Sequence, residues 1–451
     1  MVRLLALLLL IPLLSACAST KFRVLEINSL ASESAGSGQF DGLEALASRA
    51  PRTATQRVNI MFLHGIGAIE TEEAEPLANN FIQGVANAYG LETEEKTVSS
   101  QCGRDEDNED IALRNHLYIT NPATRRFTTV LGSQLGLDRL VCMDRQVLRV
   151  RGDLEYVIYR VFWDEIFWES LQLPHLGQDR GSGTMGAPAL RRSVNRDLKD
   201  ELVNYGFSDA VLYLGPAGED IRRAISGAMC AAALDANGYA LVQQGPEVDY
   251  QAACARSSST DFDIDPFAFV AESLGSKIAF DVMRAHMTDG VSDVHDKMIQ
   301  GTQLYMLANQ LPLLGLSDLS DDEPFVRSDY AAEERPTIIA FSEINDFLTY
   351  ELVPFYEQLS RLSRRVGGSD APVSRADIAE QLGFDITDMR VEFASPLVPF
   401  VSGFVDPLFA HNGHVKQPEV MEFILCGADG RVAKYSGCRI GTPSRARGLG
   451  K

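Results

Sequence analysis

Short runs of apolar, β-prone residues recur along the chain. The clearest are residues 58–63 (VNIMFL), 154–163 (LEYVIYRVFW) and 209–215 (DAVLYLG). Each is shorter than a typical helix and apolar on both faces, as strands of a covered parallel sheet are. Later strand candidates are residues 266–271, 302–316 as a strand with a loop, 336–346 as a strand with a turn, and 389–396.

Helix-like stretches lie between these runs. They are residues 72–90, 194–206 with charges on one face, 273–287, and 418–427, the last ending in a glycine. Because strand and helix patterns alternate, the sequence predicts βαβ units. We therefore expect an α/β fold with a mostly parallel central sheet flanked by helices.

The remaining segments show no sustained hydrophobic periodicity. Residues 21–27 are strand-like, and the Ser-, Gly- and Ala-rich stretch at 29–42 is typical of a tether or loop, so we expect the packed domain to start near residue 55. Residues 98–153 and 174–193 are irregular and polar, Gly-rich or charged. They indicate insertions, one of which could serve as a lid.

The N-terminus has the pattern of an export signal. One arginine precedes an apolar run that ends in small residues at 14–17 (LSAC), and the run is shorter than the roughly 20 residues that span a bilayer. These last residues resemble the lipobox of bacterial lipoproteins. The resemblance implies cleavage before Cys17, which becomes lipidated, whereas the alternative is an ordinary secretory peptide. The residue after the cysteine is Ala18, and not the Asp that resembles an inner-membrane retention signal. We therefore expect a cell-envelope protein, held at the outer membrane in a Gram-negative cell.

Composition narrows the classes of partner. With 45% hydrophobic and 23% charged residues, the chain can bury a large core. The formal charge of −21 argues against binding to nucleic acid and against electrostatic docking on anionic lipid. Membrane attachment is therefore expected to come from the lipid at Cys17, and protein partners are not indicated.

The cysteines indicate an oxidising compartment. Without Cys17, six cysteines are left, an even number. They form three couples that are local in sequence, so the favoured pairings are 102–142, 230–254 and 426–438, although sequence alone fixes none. No C-x-x-C motif occurs, which argues against structural zinc or a thioredoxin-like redox pair.

Ser273 is the strongest candidate for a nucleophile. It lies in the pattern small-x-Ser-x-small, residues 271–275 (AESLG), which suits a strained turn between a strand and a helix. Residues 32–36 and 367–371 satisfy the same pattern, but no apolar strand leads into either of them. The alternative for Ser273 is a plain helix N-cap.

Two segments resemble known families. Residues 270–281 (VAESLGSKIAFD) look like the nucleophile elbow of α/β-hydrolase-fold esterases and lipases, with Ala271 where glycine is typical. Residues 58–67 (VNIMFLHGIG) resemble the third strand and the His-Gly loop of that fold. The resemblance implies an α/β-hydrolase fold with insertions, and an oxyanion hole formed by Leu274 with Ile66 or Gly67. It implies a structural role for His64, which is a less favoured base.

The acid that orients the catalytic base should follow a strand that comes after the nucleophile in the chain. Asp346 does so, in an Asn-Asp turn that suits a carboxylate exposed at a strand end. Its surroundings resemble the ND-x-x-x-Y segment at the acid position of many bacterial esterase-like proteins. Glu343 is the second candidate for the acid. The alternative for Asp346 is that it is an ordinary solvated residue of a turn.

In the α/β-hydrolase fold the triad follows the order Ser, acid, His along the chain, so the base must come after the acid. Only His411 and His414 lie beyond Asp346 and before a final helix. The segment AHNGHVKQPEV resembles a pattern, A-H-x-G-Y-W-x-x-P-x-V, whose first histidine is catalytic, which favours His411. His414 is the alternative, because it follows a glycine as catalytic histidines of the wider fold often do. A metal site formed by this pair with Asp406 lacks a further ligand cluster, so no metal or cofactor is expected.

Together these residues predict a serine hydrolase of carboxylic esters, with a small-molecule or lipid-like substrate. Ser273 would attack the carbonyl, His411 would carry the proton and Asp346 would orient the imidazole. The alternative is a non-catalytic envelope lipoprotein that keeps the fold for binding or structure.

Overall fold

The protein is described by a computed structural model. Its described residues are 22–31, 38–49, 56–65, 71–91, 116–119, 141–151, 153–163, 207–236, 265–289, 293–316, 330–366, 373–394, 407–430, 432–433 and 438. They form a mixed α/β structure in which a mostly parallel sheet is flanked by helices.

Twelve strands form two sheets within the described residues. Their bounds are β1 Arg23–Ser29, β2 Gln39–Asp41, β3 Gln56–Leu63, β4 His116–Ile119, β5 Val141–Arg151, β6 Leu154–Phe162, β7 Phe267–Glu272, β8 Gln303–Leu307, β9 Thr337–Glu343, β10 Asp385–Glu392, β11 Gly427–Asp429 and β12 Val432–Ala433. The large sheet has nine strands in the order β1-β10-β9-β8-β7-β3-β6-β5-β4, and the small one has the order β12-β11-β2. The six strands from β10 to β6 run parallel, while the pairs β1–β10, β6–β5 and β5–β4 at the two edges are antiparallel.

Helices connect the strands and cover the sheet. The described ones are α1 Leu43–Ala47, α2 Thr71–Ala88, α3 Ser208–Leu214, α4 Ala217–Ala236, α5 Leu274–Asp289, α6 Asp293–Ile299, α7 Leu311–Leu314, α8 Leu352–Val366, α9 Arg375–Leu382, α10 Pro407–Asn412 and α11 Pro418–Cys426. No helix in these ranges combines the length and apolar character needed to cross a membrane.

The core has two halves, one on each face of the sheet. Successive side chains of a strand point to opposite faces, so Met61 and Leu63 join one apolar cluster and Ile60 and Phe62 the other. All four are buried. Burial on both faces explains why the parallel strands carry the continuous apolar runs seen in the sequence.

The carboxyl ends of the central strands meet at one edge. Leu63 of β3 lies opposite Ala271 of β7, and Leu307 of β8 pairs with both Glu272 and Phe341. The residues that follow these strands therefore converge, which is where open parallel sheets place their sites.

The strand predicted at residues 209–215 is wrong, because this segment forms helix α3. Ala210 and Tyr213 are buried while Val211 is 71% exposed and Leu214 is also exposed. That pattern follows the turn of a helix and not the alternation of a strand. A short apolar run does not distinguish the two by itself.

Part of the expected insertion at 98–153 belongs to the sheet, since β4 and β5 extend its edge. Val141 and Met143 join the apolar cluster on one face, whereas Leu148 and Val150 join the cluster on the other. No single alternating stripe marks β5, so its sequence pattern is weak.

The packed fold also begins before residue 55. Strand β1 pairs with β10, the stretch expected as a tether contains β2, and α1 follows it before residue 55. Ile27, Leu43 and Leu46 are buried. These side chains anchor the segment, whereas the many small residues around them had indicated a loop.

One of the three expected disulfides is confirmed, between Cys426 and Cys438. Cys102 and Cys254 lie outside the described residues, so the other two pairings stay predictions. Outside them too are Cys17 with the predicted export signal, the expected insertion at 174–193 and the helix predicted at 194–206.

Candidate active site

The turn between β7 and α5 presents Ser273. The strand ends at Glu272, the helix begins at Leu274, and Ser273 between them has a φ of 51°. A side-chain-bearing residue with positive φ is strained, and such a turn places the serine hydroxyl at the carboxyl end of the sheet. The backbone N–H of Ser273 donates to the carbonyl of Leu307 at 2.9 Å, which fastens the turn to β8.

Small residues let β3 pass close to this turn. A Cβ atom on Gly275 would lie 2.5 Å from the carbonyl oxygen of His64 and 2.7 Å from that of Leu63. A Cβ on Gly65 would lie 2.6 Å from Cβ of Ser273. Glycine is therefore required on both sides of the contact, as the small-x-Ser-x-small pattern indicates for Gly275.

Ser273, His411 and Asp346 form one chain of hydrogen bonds. Oγ of Ser273 lies 2.9 Å from Nε2 of His411, and Nδ1 of His411 lies 2.8 Å from Oδ2 of Asp346. All three side chains are buried, and they come from three separate segments of the chain. A serine held against an imidazole that is itself oriented by a carboxylate is the arrangement that activates a serine nucleophile.

Asp346 is held as a carboxylate. Burial raises its pKa, but hydrogen bonds from His411, from the Thr349 hydroxyl and from the backbone N–H of Leu348 outweigh burial, so the pKa lies below its usual value. The negative charge is therefore present at neutral pH. It can stabilise an imidazolium at His411.

Glu343, the second choice for the acid, has other partners. Its carboxylate accepts hydrogen bonds from the backbone N–H groups of Phe393 and Ala394, each at 3.3 Å, and from Asn345. These bonds join the end of β9 to the residues after β10. The geometry gives Glu343 a structural position and Asp346 the contact with His411.

His414 lies behind His411 and does not share its contact with the nucleophile. Its Nδ1–H donates to the carbonyl oxygen of His411 at 3.0 Å, and its ring stands edge-on to Phe393 at 5.0 Å. Burial lowers the pKa of His414 to about 4, so the ring is neutral at physiological pH. These contacts stabilise the segment that carries His411.

His64 packs against Trp163 in the loop after β3. The two rings stack with centroids 5.6 Å apart, and the indole N–H of Trp163 donates to the carbonyl of His64 at 3.2 Å. Nδ1 of His64 lies 2.9 Å from the carbonyl oxygen of Gly65. Burial lowers the pKa of His64 to about 4. The side chain thus shapes the loop beside Ser273.

One part of the predicted oxyanion hole is described. Leu274 is the first residue of α5, so its N–H has no carbonyl partner one turn earlier in the helix. Ile66 and Gly67 lie outside the described residues. Gly65, which precedes them, lies against Ser273.

No family model, curated protein or solved structure matches this chain. Ser273, His411 and Asp346 define the site by their contacts with one another.

Two side chains at the site were missed from the sequence. Gln310 follows β8, is 3% exposed, and donates from Nε2 to Oγ of Ser273 at 2.9 Å. The only signal was a pair of amides, Asn309-Gln310, inside an otherwise apolar segment.

Glu272 is the second. It is 1% exposed, neither carboxylate oxygen has a hydrogen-bond partner, and burial raises its pKa to about 8. It is therefore a neutral carboxylic acid at pH 7, directly before the nucleophile.

Proposed function

We propose that the protein is a serine hydrolase that cleaves carboxylic esters, built on an α/β-hydrolase-type fold. The single observation that carries the proposal is the hydrogen-bonded chain from Asp346 through His411 to Ser273 at a strained strand-to-helix turn. The order of strands, with a nucleophile after β7, an acid after β9 and a base after β10, supports the same fold.

The reaction begins at the hydroxyl of Ser273. As Oγ attacks the ester carbonyl carbon, its proton passes to Nε2 of His411, and the electron pair of the C=O bond moves to the carbonyl oxygen. The N–H of Leu274, with that of Ile66 or Gly67, stabilises this oxyanion. Such a donor is worth about 3–4 kcal/mol in the transition state.

The alcohol then leaves with the proton of His411. This step gives an acyl-enzyme on Ser273. A water molecule repeats the sequence, giving its proton to His411 and its oxygen to the acyl carbon, and Oγ departs with the proton. Asp346 holds the imidazole in the tautomer that faces Ser273.

Exposed apolar side chains that neighbour two triad residues in the chain favour esters with apolar chains. Phe347, next to Asp346, is 52% exposed, and Phe409, on the helix of His411, is 39% exposed. Exposed aromatic groups at a site commonly contact an apolar ligand. We therefore propose an acyl or alcohol group with several methylenes, and expect higher kcat/KM on nitrophenyl octanoate than on nitrophenyl acetate.

Hydrolysis of these esters tests the activity. We expect turnover by the wild-type protein and a loss of about 10⁴-fold or more in kcat for Ser273→Ala. Ser360→Ala is the matched control, since it removes a buried hydroxyl from α8, away from the triad, and should keep its turnover. Equal activity in Ser273→Ala and wild type would refute the proposal, as would an inert wild-type protein that is folded.

We also propose that Cys17 carries a lipid that holds the enzyme at the cell envelope. The proposal rests on residues 14–17 (LSAC) after an apolar run. Expression in a bacterium with labelled palmitate should label the wild type and leave Cys17→Ser unlabelled. Absence of label in a secreted wild-type protein would contradict the anchor and leave the catalytic proposal untouched.

A further inference from the structure

The turn after β8 is strained in the same way as the nucleophile turn. Among the residues the structure describes, Ser273 and Ala308 are the only ones other than glycine with positive φ, at 51° and 52°. Such conformations persist where the surroundings impose them, and they gather at functional sites. Ala308 begins the turn that leads to Gln310.

Hydrogen bonds tie this turn to both neighbouring segments of the site. The backbone N–H of Ala308 donates to the carbonyl of Phe341 in β9 at 3.2 Å. The side-chain amide of Asn309 donates to the carbonyl of Tyr350 at 2.9 Å, in the loop that follows Asp346. The turn is thus fixed relative to the acid loop on one side and, through the bond from Ser273 to Leu307, to the nucleophile on the other.

Gln310 uses this fixed position to reach the reacting oxygen. Its Nε2 donates to Oγ of Ser273 at 2.9 Å, and Nε2 of His411 lies at the same distance from that oxygen. A serine hydroxyl has one proton and two lone pairs. With Gln310 donating to one lone pair, the proton is directed towards His411, the group that must receive it.

We propose that Gln310 is a further catalytic residue, which stabilises the negative charge that develops on Oγ of Ser273. The inference rests on the proposed function. In acylation the charge appears as the proton moves to His411 and before the new C–O bond is complete. In deacylation the bond from Oγ to the acyl carbon breaks, its electron pair returns to Oγ, and the proton comes back from His411. Gln310 keeps its own protons throughout and acts only by hydrogen bonding.

Two substitutions of Gln310 test this role. Gln310→Met keeps the length of the side chain and removes the donor, and Gln310→Asn keeps an amide that is one methylene too short to reach. Gln303→Met is the matched control. Gln303 is also buried, but its amide donates to the carbonyl of Asp41 at 2.7 Å, at the opposite end of β8.

We expect both Gln310 variants to lose about 10- to 100-fold in kcat on a nitrophenyl ester, with KM changed less than about threefold. Fluorophosphonate labelling of Ser273 should slow in proportion, while Gln303→Met should keep the wild-type rates. A residue that acted only on folding would lower the thermal midpoint and the fraction of active protein without this split between kcat and KM.

The outcomes separate the two proposals. Folded Gln310 variants with kcat within about threefold of an active wild type would overturn the role of Gln310 and leave the hydrolase standing. A folded wild type that neither hydrolyses esters nor takes the label would overturn the hydrolase, and the role of Gln310 with it.

Discussion

His411 and His414, three residues apart, are both candidates for the catalytic base, but their contacts differ. His411 contacts Ser273 and Asp346, whereas His414 contacts the backbone of His411 and the ring of Phe393. Only the first can receive the serine proton. The sequence left both possible, because each follows the acid and precedes the final helix.

Substituting each histidine separately distinguishes them. We expect His411→Ala to lose about 10⁴- to 10⁶-fold in kcat, as deletion of a triad base does, without a matching loss of stability. His414→Ala should lower the thermal midpoint, because it empties a fully buried position, and should keep most of its turnover per folded molecule. Comparable catalytic losses in both variants would contradict the assignment.

A site residue could be predicted from the sequence only where it belongs to a recognisable sequence pattern. Ser273, Asp346 and His411 could be predicted because nucleophile, acid and base follow separate elements in a fixed order. Gln310 could not. Its contact with Ser273 comes from the positive φ of Ala308, and nothing in the letters ANQ specifies that conformation.

The packing of α5 against the end of β3 depends on one glycine. The first turn of the helix crosses the carbonyl groups of Leu63 and His64 so closely that no side chain fits at Gly275. The helix therefore cannot move without moving Ser273. Catalytic geometry and packing are coupled at this contact.

Gly275→Ala is expected to displace the nucleophile turn. Since the new Cβ would lie 2.5 Å from a backbone oxygen, the helix must shift, and we expect a loss of about 10²-fold or more in kcat with a lowered thermal midpoint. Gly315→Ala is the control, because a Cβ there meets nothing within 4 Å and its φ is ordinary. Unchanged activity and stability in Gly275→Ala would show that the contact is not tight.

Strands that are buried on both faces were predicted well, because such burial requires apolar side chains. Strands β3, β6, β7, β8 and β9 are covered on both faces, so their sequences are mostly apolar. Helix α3 was taken for a strand because it too is short and apolar. Strand β5 was missed because its buried residues change face part-way along.

The order of strands in the sheet is a property of the whole molecule. Strand β1 pairs with β10, more than 300 residues later in the chain. Parallel βαβ units follow from local alternation, but this edge pairing joins distant segments. It could not be read from periodicity.

Glu272 makes the stability of the whole molecule depend on pH. Its pKa is about 8 in the folded protein and 4.5 when unperturbed. Below pH 4.5 the carboxyl is protonated in both states, so its ionisation does not change the free energy of unfolding. As the pH rises to 8, the unfolded state releases the proton and the folded state keeps it, so folding loses about 1.4 kcal/mol per pH unit, on the order of 3 kcal/mol at pH 7.

Glu272→Gln should remove this dependence. The amide does not titrate, and like the carboxyl it replaces it fills a position without hydrogen-bond partners. We expect the variant and the wild type to have similar unfolding free energies near pH 4.5, and the variant to become progressively more stable up to pH 8. Denaturant titrations at several pH values measure the difference, and a difference that does not change with pH would refute this origin.

A fluorophosphonate probe shows whether Ser273 is an activated nucleophile. The probe phosphonylates a serine that has an imidazole base and an oxyanion hole, so the label reports the assembled site without any assumption about the substrate. We predict one covalent adduct per folded wild-type molecule, located by mass spectrometry on Ser273, and none in His411→Ala on the same timescale. If the folded wild-type protein takes no label, or carries it on another serine, Ser273 is not the activated nucleophile.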